Sequence, residues 1–452
     1  MAVLLGTTGC QLTSSPNTSV SSPFRPRVSA QDAPPQADPL AQRVLRARTD
    51  CAYGEDACSP CVNDLLSSLD SATGGVDISG RDARIEIAGY EIGESVLHHH
   101  IQGVARLADL INRDGTRTGR IILTDNLSRG GLSYAEGEFE TGRDSIFAGG
   151  RYTVVRNVNL RQYFEHPGGA QAHGNTMVVS MDSRRRKDAA AYFLHFPPHG
   201  KPELISGVGI DGTHGEPILS SRQRWSASSA AFIQLDTGEF LVAVSGDSHG
   251  KAGIWFFLSS NDVIDASTRW QYVGSWTPCT GDNGDGDLER CFAGASGMAL
   301  LADCSGDIFL VTLHGTSQAR QEYQWIQVFQ LGQEEGGTLK LALRSWQRDH
   351  TGRLQRNNPA FRWAGGAFVT DEPDVVALLN TVRDPATSPC MSVCGDVYWS
   401  KPRAVVASDA SAFSPFDKLA EPEVPIATYD LGPLSGAPMI PLSFEAVIEF
   451  VP

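Results

Sequence analysis

The fold is decided by one stretch of sequence, FAGASGMALLADCSGDIFLV, at residues 292–311. It holds a group of small residues, an apolar run, a turn that contains Gly306, and a second apolar run. Apolar runs this short, bounded by turn residues, predict two β-strands joined by a tight turn. Residues 225–242, WSASSAAFIQLDTGEFLV, have the same order of features. We therefore expect a chain built from repeats of this hairpin.

A small residue marks the same place in five copies of the pattern: Gly103, Gly169, Ala230, Gly297 and Gly366. These positions are spaced 61 to 69 residues apart. A steady period in an all-β chain predicts four-stranded sheets arranged around an axis. Inner strands crowd such an axis, where Gly, Ala or Ser let neighbouring backbones approach. We predict about five blades, or six if one repeat has decayed; the alternative is a β-sandwich or a pair of β domains, against which the steady period argues.

Other short runs of β-branched and aromatic residues support the all-β class, because each is bounded by Gly, Asp, Asn or Pro and none has a helical period. They are Arg84–Ile87, Ile121–Leu123, Tyr152–Val155, Met177–Val179, Ala191–Leu194, Phe240–Val244, Ile254–Phe257 and Ile308–Val311. A last strand, Phe444–Phe450, is expected to pair with the strand at residues 84–90 and so close the ring without leaving a free edge.

On these repeats, residues 84–451 resemble β-propellers in general. No WD dipeptide ends successive copies, and no kelch-type double-Gly pattern recurs in them. The resemblance therefore implies a fold and no activity, since propellers include hydrolases, lyases, lectins and assembly platforms.

The N-terminal region is predicted to divide into three parts. Residues 1–10 resemble the end of a lipoprotein-type signal, with Cys10 as the residue that would carry a lipid and attach the protein to a membrane. Residues 11–45 are rich in Ser, Pro and Ala and are expected to form a disordered tether. Residues 46–83 form a Cys-rich extension with at most a short helix at Val62–Leu69. Residues 84–452 are assigned to the propeller, expected to be a monomer.

Composition restricts the compartment and the partners. The net charge of -15, from 37 Lys and Arg against 52 Asp and Glu, disfavours nucleic acid as a partner. Eight cysteines remain when Cys10 is set aside, and they fall in clusters, which favours disulfides in an extracytoplasmic compartment, secreted, periplasmic or lipid-anchored. The plausible local pairs are Cys279 with Cys291 and Cys390 with Cys394. Zinc at Cys58 and Cys61 is the lesser alternative, because further ligands are lacking.

Histidines at the repeat landmark are the first candidate for chemistry. His100 and His166 precede the marker glycines of adjacent copies and would approach each other at the central channel, where they could bind a transition metal or act as acid and base. Against this, later copies carry Trp225, Phe292 and Trp363 near that place, and a structural histidine is the common outcome. Side chains in the same copies that could contact a ligand are Gln102, Gln171, Trp225 and Trp363.

The segment between Cys279 and Cys291 is a candidate calcium loop. Oxygen-bearing side chains alternate along it, at Asn283, Asp285, Asp287 and Glu289. Leu288 stands where an EF-hand requires Gly, so a solvated acidic loop remains the alternative. The basic segment Ser183–Asp188 is expected to be a solvated hairpin tip.

The leading functional hypothesis is a binding or scaffold module that presents one face to a protein, glycan or small molecule. The alternative is a hydrolase or lyase with its site in the central channel and histidines as metal ligands or acid–base groups. Calcium is the one cofactor that the sequence suggests.

Overall fold

The computed structural model of this chain describes part of it, and every structural statement below concerns that part. The described residues are 44–70, 83–88, 101–125, 131–139, 150–160, 166–183, 188–198, 200–210, 227–248, 251–276, 295–318, 321–333, 339–353, 360–372, 374–381, 394–400 and 448–451. In them, 21 strands and one short helix make the chain all-β, as predicted, and all eight apolar runs cited above lie within strands. No helix in these ranges is long and apolar enough to cross a membrane.

The first repeat folds into a four-stranded antiparallel sheet. Its strands pair in chain order: β2 (Ile101–Ile111), β3 (Arg117–Asp125), β4 (Gly131–Phe139) and β5 (Gly150–Leu160). The strand that carries the marker glycine, β2, is innermost.

Three further repeats fold in the same way. The second contains β6 (His166–His173), β7 (Thr176–Ser183), β8 (Asp188–His195) and β9 (Glu203–Ile210). The third contains β10 (Ser229–Gln234), β11 (Phe240–Ser248), β12 (Lys251–Ser259) and β13 (Trp270–Trp276). The fourth contains β14 (Gly297–Ala302), β15 (Ile308–Gln318), β16 (Gln321–Gln333) and β17 (Leu339–Arg353). As predicted, residues 183 and 188 pair across a hairpin.

The fifth sheet joins the two ends of the repeat region. It consists of β18 (Ala360–Val369), β19 (Val376–Thr381), β20 (Cys394–Ser400) and, as its outer strand, β1 (Ala83–Ala88). The prediction that the C-terminal strand closes the ring by pairing with the strand at 84–90 is wrong. The last strand, β21 (Ile448–Val451), pairs with β5, whereas β1 pairs with β20 and, in parallel, with β5.

The first strands of these four-stranded units surround one axis, which makes the fold a β-propeller. These strands contact one another in the order β2, β6, β10, β14, β18 and back to β2. A separate hydrophobic cluster fills each of the five interfaces between neighbouring sheets. Each sheet therefore buries both faces against its neighbours, which gives a closed ring of cores.

The marker glycines allow the first strands to meet at the axis. A Cβ atom on Gly366 would lie 2.6 Å from the carbonyl oxygen of Val104 on β2, and one on Gly297 would collide with the carbonyl of Gly365 on β18. Gly169 donates its N–H to the carbonyl of Ser228 at 2.8 Å. The prediction that small residues are needed here is confirmed, because backbone atoms of the neighbouring strand occupy the space that a larger side chain on the marker glycine would need.

Residues 44–70, which we call the cap, lie against the ends of the first strands. Backbone hydrogen bonds hold the cap there, including Ala57 N–H to the carbonyl of His173 at 3.2 Å and Val62 N–H to the carbonyl of Ala302 at 3.1 Å. Helix α1 (Leu65–Asp70) buries Leu65 and Leu69 in the core between the fourth and fifth sheets. The short helix expected near Val62–Leu69 is thus present, and its apolar face attaches the cap to the ring.

Two disulfides occur in the described residues. Cys51 pairs with Cys58 inside the cap, and Cys61 pairs with Cys304 in the turn between β14 and β15. The zinc alternative for Cys58 and Cys61 is therefore wrong, because both sulfurs are used in disulfides with different partners. Both cysteines of the predicted pair Cys279–Cys291 lie outside the described residues, and so does Cys390 of the predicted pair Cys390–Cys394.

Candidate functional site

In the described residues, the cap covers one end of the ring. It covers the turns that follow the first strands, where its backbone bonds to His173, Gln234 and Ala302. Between the two ends, the backbone contacts at the marker glycines fill the axis. The first strands begin at the opposite end, which the described cap residues do not contact; we call it the open end.

A histidine and a carboxylate meet at the open end. His166 begins β6, and Asp182 lies directly opposite it on β7. His166 Nδ1 is 3.4 Å from Asp182 Oδ1, and the two side chains are 20% and 13% exposed. An ionised carboxylate accepts only, so it favours a proton on Nδ1 and stabilises the ring when it is charged. This is the arrangement in which an imidazole can gain and lose protons in place.

The other ring nitrogen contacts the first sheet. Gln102 on β2 places its amide Nε2 3.1 Å from His166 Nε2. The pairing between β2 and β3 shifts by one residue between Ile101 and Gly103, so Gln102 occupies a β-bulge. A bulge re-aims the side chain it carries, which explains how Gln102 reaches the neighbouring sheet. The first two copies thus meet through Gln102 and His166. The predicted approach of His100 to His166 involves a residue outside the described ones and stays a prediction.

Hydroxyl groups form hydrogen bonds around the axis, two of them with the carbonyls of Gly168 and Gly169, which closely follow His166 in the sequence. Thr124 Oγ1 donates to the carbonyl of Gly168 at 2.8 Å, and Ser180 Oγ donates to the carbonyl of Gly169 at 3.2 Å. Ser228 Oγ lies 3.0 Å from Ser245 Oγ in the third sheet. The open end thus presents an imidazole, a carboxylate and an amide, whereas the hydroxyls of Thr124, Ser180 and Ser245 are buried and bonded within the protein.

Gln171, predicted as a ligand-binding residue, is buried deeper along β6. Its Oε1 accepts from the N–H of Phe232 at 2.9 Å and of Leu300 at 3.2 Å, and its Nε2 donates to the carbonyl of Leu300 at 2.9 Å. The residue is 2% exposed. Three sheets meet at this one amide, so the contacts give Gln171 a structural function at the axis.

His173 is a second histidine on β6, close to the cap. Its Nε2 donates to the carbonyl of Phe232 at 3.0 Å, and its ring packs against the ring of Phe232. Burial lowers the pKa of His173 to about 4, so the ring is neutral near pH 7. It belongs to the core, and it lies on the covered side of the marker glycines.

The remaining predicted site residues cannot be placed. His100, Trp225 and the calcium-loop positions Asn283, Asp285, Asp287 and Glu289 lie outside the described residues. Trp363 lies on β18, and its side chain is not described. Within the described ranges, no three His, Cys, Asp or Glu side chains are grouped closely enough to hold a metal ion. The calcium loop and the role of His100 stay predictions.

Asp182 is the site residue that sequence reasoning missed. It follows the apolar run Met177–Val179, and a carboxylate that follows such a run is more often a turn former than an acid. In the structure it lies inside β7, and the register of β6 with β7 aligns it with His166. The alternating residues Met177, Val179 and Met181 extend the strand pattern up to Asp182 and could have revealed this pairing.

Comparisons with known proteins assign no family. No protein-family profile and no curated protein matches the chain. Among solved structures, it is similar to a Trypanosoma rangeli sialidase bound to the inhibitor DANA, with 8% identity, TM-score 0.33, and coverage of 70% of this chain and 57% of that one. It is also similar to a Bombyx mori GH32 beta-fructofuranosidase, with 10% identity, TM-score 0.36, and coverage of 74% and 65%.

A B. subtilis levansucrase variant gives 6% identity, TM-score 0.36, and coverage of 75% of this chain and 90% of that one. The chain spans less than two thirds of the length of the sialidase and of the fructofuranosidase. At these scores the comparisons say nothing about activity. The β-propeller fold rests on the chain's own ring of sheets.

Proposed function

We propose that this protein is a glycan hydrolase whose site lies at the open end of the propeller, with His166 as the group that transfers protons. The observation that carries the proposal is the contact of His166 with Asp182 at the end of the ring that the cap leaves uncovered. A buried carboxylate beside an imidazole is an arrangement that general acid–base catalysis uses.

The chemistry follows from the protonation states. Once the Gln102 amide turns away from Nε2, neutral His166 accepts a proton there from the attacking water while the C–O bond of the substrate breaks. Asp182, next to Nδ1, stabilises the imidazolium that forms. The proton then passes to the departing oxygen, which becomes a hydroxyl group and returns His166 to the neutral state. The hydrolysis consumes one water molecule and leaves the enzyme unchanged.

The substrate class is inferred from the polarity of the open end. Amide, imidazole and carboxylate groups form hydrogen bonds with the hydroxyls of a sugar. The net charge of -15 opposes the approach of a polyanion. We therefore favour an uncharged glycan over a nucleic acid or a strongly acidic polymer. Trp225 and Trp363 remain candidates for stacking against sugar rings.

The test is a panel of 4-nitrophenyl glycosides, covering α and β anomers of common pyranoses and furanoses. We expect at least one to be hydrolysed, and His166→Gln to lower kcat about 100-fold or more, the range of general acid–base catalysis. His195→Gln is the matched control, because His195 ends β8 at the capped side of the ring. Equal losses in both variants, or hydrolysis unaffected by His166→Gln, would contradict the proposal.

A non-catalytic binding module is the second candidate function. It is favoured by the contact between Gln102 and His166, because both ring nitrogens then have protein partners in the structure. This candidate predicts that folded protein hydrolyses none of the glycosides and binds a glycan on an array. It also predicts that Trp225→Ala or Trp363→Ala weakens that binding, whereas His166→Gln does not.

Two disulfides support an extracytoplasmic location, since such bonds persist in oxidising compartments. A lipid on Cys10, a monomeric state and calcium at residues 279–291 are proposals that follow from the sequence alone. Mass spectrometry of the protein extracted from membranes tests the lipid, and elemental analysis tests the calcium.

A further inference from the structure

We propose that Gln102 is a positioning residue that holds neutral His166 in the tautomer with its proton on Nδ1, and so keeps Nε2 unprotonated as the site's base. The inference rests on the proposed function for its chemical use, and its test does not require activity.

The first step is the contact at Nδ1. Asp182 Oδ1 lies 3.4 Å from this nitrogen, which is an ion-pair distance and not a hydrogen bond. A neutral imidazole carries one proton, and the nearby negative charge attracts that proton to Nδ1. Nε2 is then a hydrogen-bond acceptor.

The second step is the contact at Nε2. The nitrogen of the Gln102 amide, and not its oxygen, stands 3.1 Å from Nε2. An amide nitrogen only donates, so this contact is a hydrogen bond only when Nε2 lacks a proton. Asp182 and Gln102 therefore select the same tautomer from opposite sides of the ring.

The third step concerns the charged ring. When His166 gains a proton at Nε2, that nitrogen becomes a donor and opposes the Gln102 N–H. Rotation of the amide by about half a turn presents Oε1, which accepts the new hydrogen bond. The Gln102 side chain can thus form a hydrogen bond with either protonation state of His166, which an aliphatic side chain could not.

The fourth step is the backbone that carries Gln102. This residue lies at the register shift between Ile101 and Gly103, and a second register shift follows His166 on β6, between Pro167 and Ala170. Bulges are often found beside active sites, where they re-aim side chains. Gln102 therefore lies at a departure from regular pairing, and His166 pairs regularly just before another one.

The test is nitrogen NMR of protein labelled with ¹⁵N in histidine, near pH 8. His166→Gln assigns the His166 resonances by their loss. In the wild type we expect Nε2 to resonate as an unprotonated imidazole nitrogen and Nδ1 as a protonated one. In Gln102→Glu, which has the same shape and presents only acceptors, we expect the Nε2 resonance to move into the protonated range. In Gln102→Ala, we expect a mixture of the two tautomers.

Gln330→Glu is the matched control, because Gln330 lies on β16, remote from His166 in sequence and in another sheet. It should leave the His166 resonances in place. Unchanged positions of the other histidine resonances show that each variant is folded. A protonated Nε2 in the wild type, or an unprotonated one in Gln102→Glu, would overturn the inference. If the tautomer is as expected and no glycoside is cleaved, the proposed hydrolase fails and the positioning role stands.

Discussion

Replacement of Gln171 by Met should destabilise the ring strongly, although the two side chains are similar in size. The substitution removes three hydrogen bonds and leaves two N–H groups and one carbonyl, all from Phe232 and Leu300, without their partner at the axis. Both residues are fully buried, so water cannot replace the amide. An unsatisfied buried backbone group destabilises by about 1–3 kcal/mol. Since the three groups share one partner and relax together, we expect a loss of about 3–6 kcal/mol.

Urea denaturation followed by tryptophan fluorescence measures this loss, and thermal denaturation provides a second value. Unfolding entropy is about 2 cal/mol/K per residue, so for a unit of roughly 400 residues a loss of that size lowers Tm by about 4–7 °C. Gln330→Met is the matched control, because Gln330 is only half-buried and donates to Asp307 at 3.0 Å. It should change stability by about 1 kcal/mol or less. Similar losses in the two variants would refute the conclusion that the Gln171 amide joins three sheets.

Three further perturbations test other parts of the structure. Gly297→Ala should lower the free energy of unfolding, measured in urea, by about 1–3 kcal/mol or more, because the new Cβ would meet backbone atoms. Gly332→Ala, with open space around its Cα, should leave this free energy unchanged. Equal losses in the two variants would refute the conclusion that the axis is crowded. The double substitution Cys61→Ser with Cys304→Ser should lower the free energy of unfolding by about 3–5 kcal/mol, because the disulfide closes a loop of 243 residues. An unchanged free energy of unfolding would show that the attachment of the cap contributes little to the stability of the fold. Because the pKa of His173 is lowered to about 4, the folded chain binds fewer protons than the unfolded chain between pH 6.5 and about 4, and its stability falls by up to about 3 kcal/mol as pH falls through that window. His173→Gln should flatten this part of the plot of stability against pH. An unchanged plot would contradict the burial of a neutral ring.

The ring of first strands could be predicted from sequence because it depends on local features that repeat. Each copy needs a small residue where backbones meet, an apolar run and a turn, and these lie within about 20 residues of one another. Gly103, Gly169, Gly297 and Gly366 all lie on first strands and all contact backbone of a neighbouring sheet. Crowding at an axis is a strict steric requirement, so it leaves a clear signal in the sequence.

The closure of the ring could not be predicted in the same way. β1 completes the fifth sheet by pairing with β20, about 310 residues further along the chain, and Cys61 pairs with Cys304. Neither contact has a local signal, because strand pairing and disulfide bonding are satisfied by any suitable partner. The expectation that Phe444–Phe450 pairs with the strand at 84–90 used a sound principle, that free edges are covered, and chose the wrong strand.

The candidate site shows where reasoning from repeats reaches its limit. Alignment of the copies brought His100 and His166 to equivalent places, and the structure does set the first two sheets side by side at the open end. The groups that contact His166 are not equivalent to it: Asp182 faces it from the next strand of its own sheet, and Gln102 reaches it from a bulge. A repeat specifies the scaffold because every copy must pack in the same way. A site breaks that equivalence, since its chemistry needs a donor, an acceptor and a proton carrier that differ from one another. The positions where copies diverge, rather than those where they agree, are therefore the ones at which function should be sought in this chain.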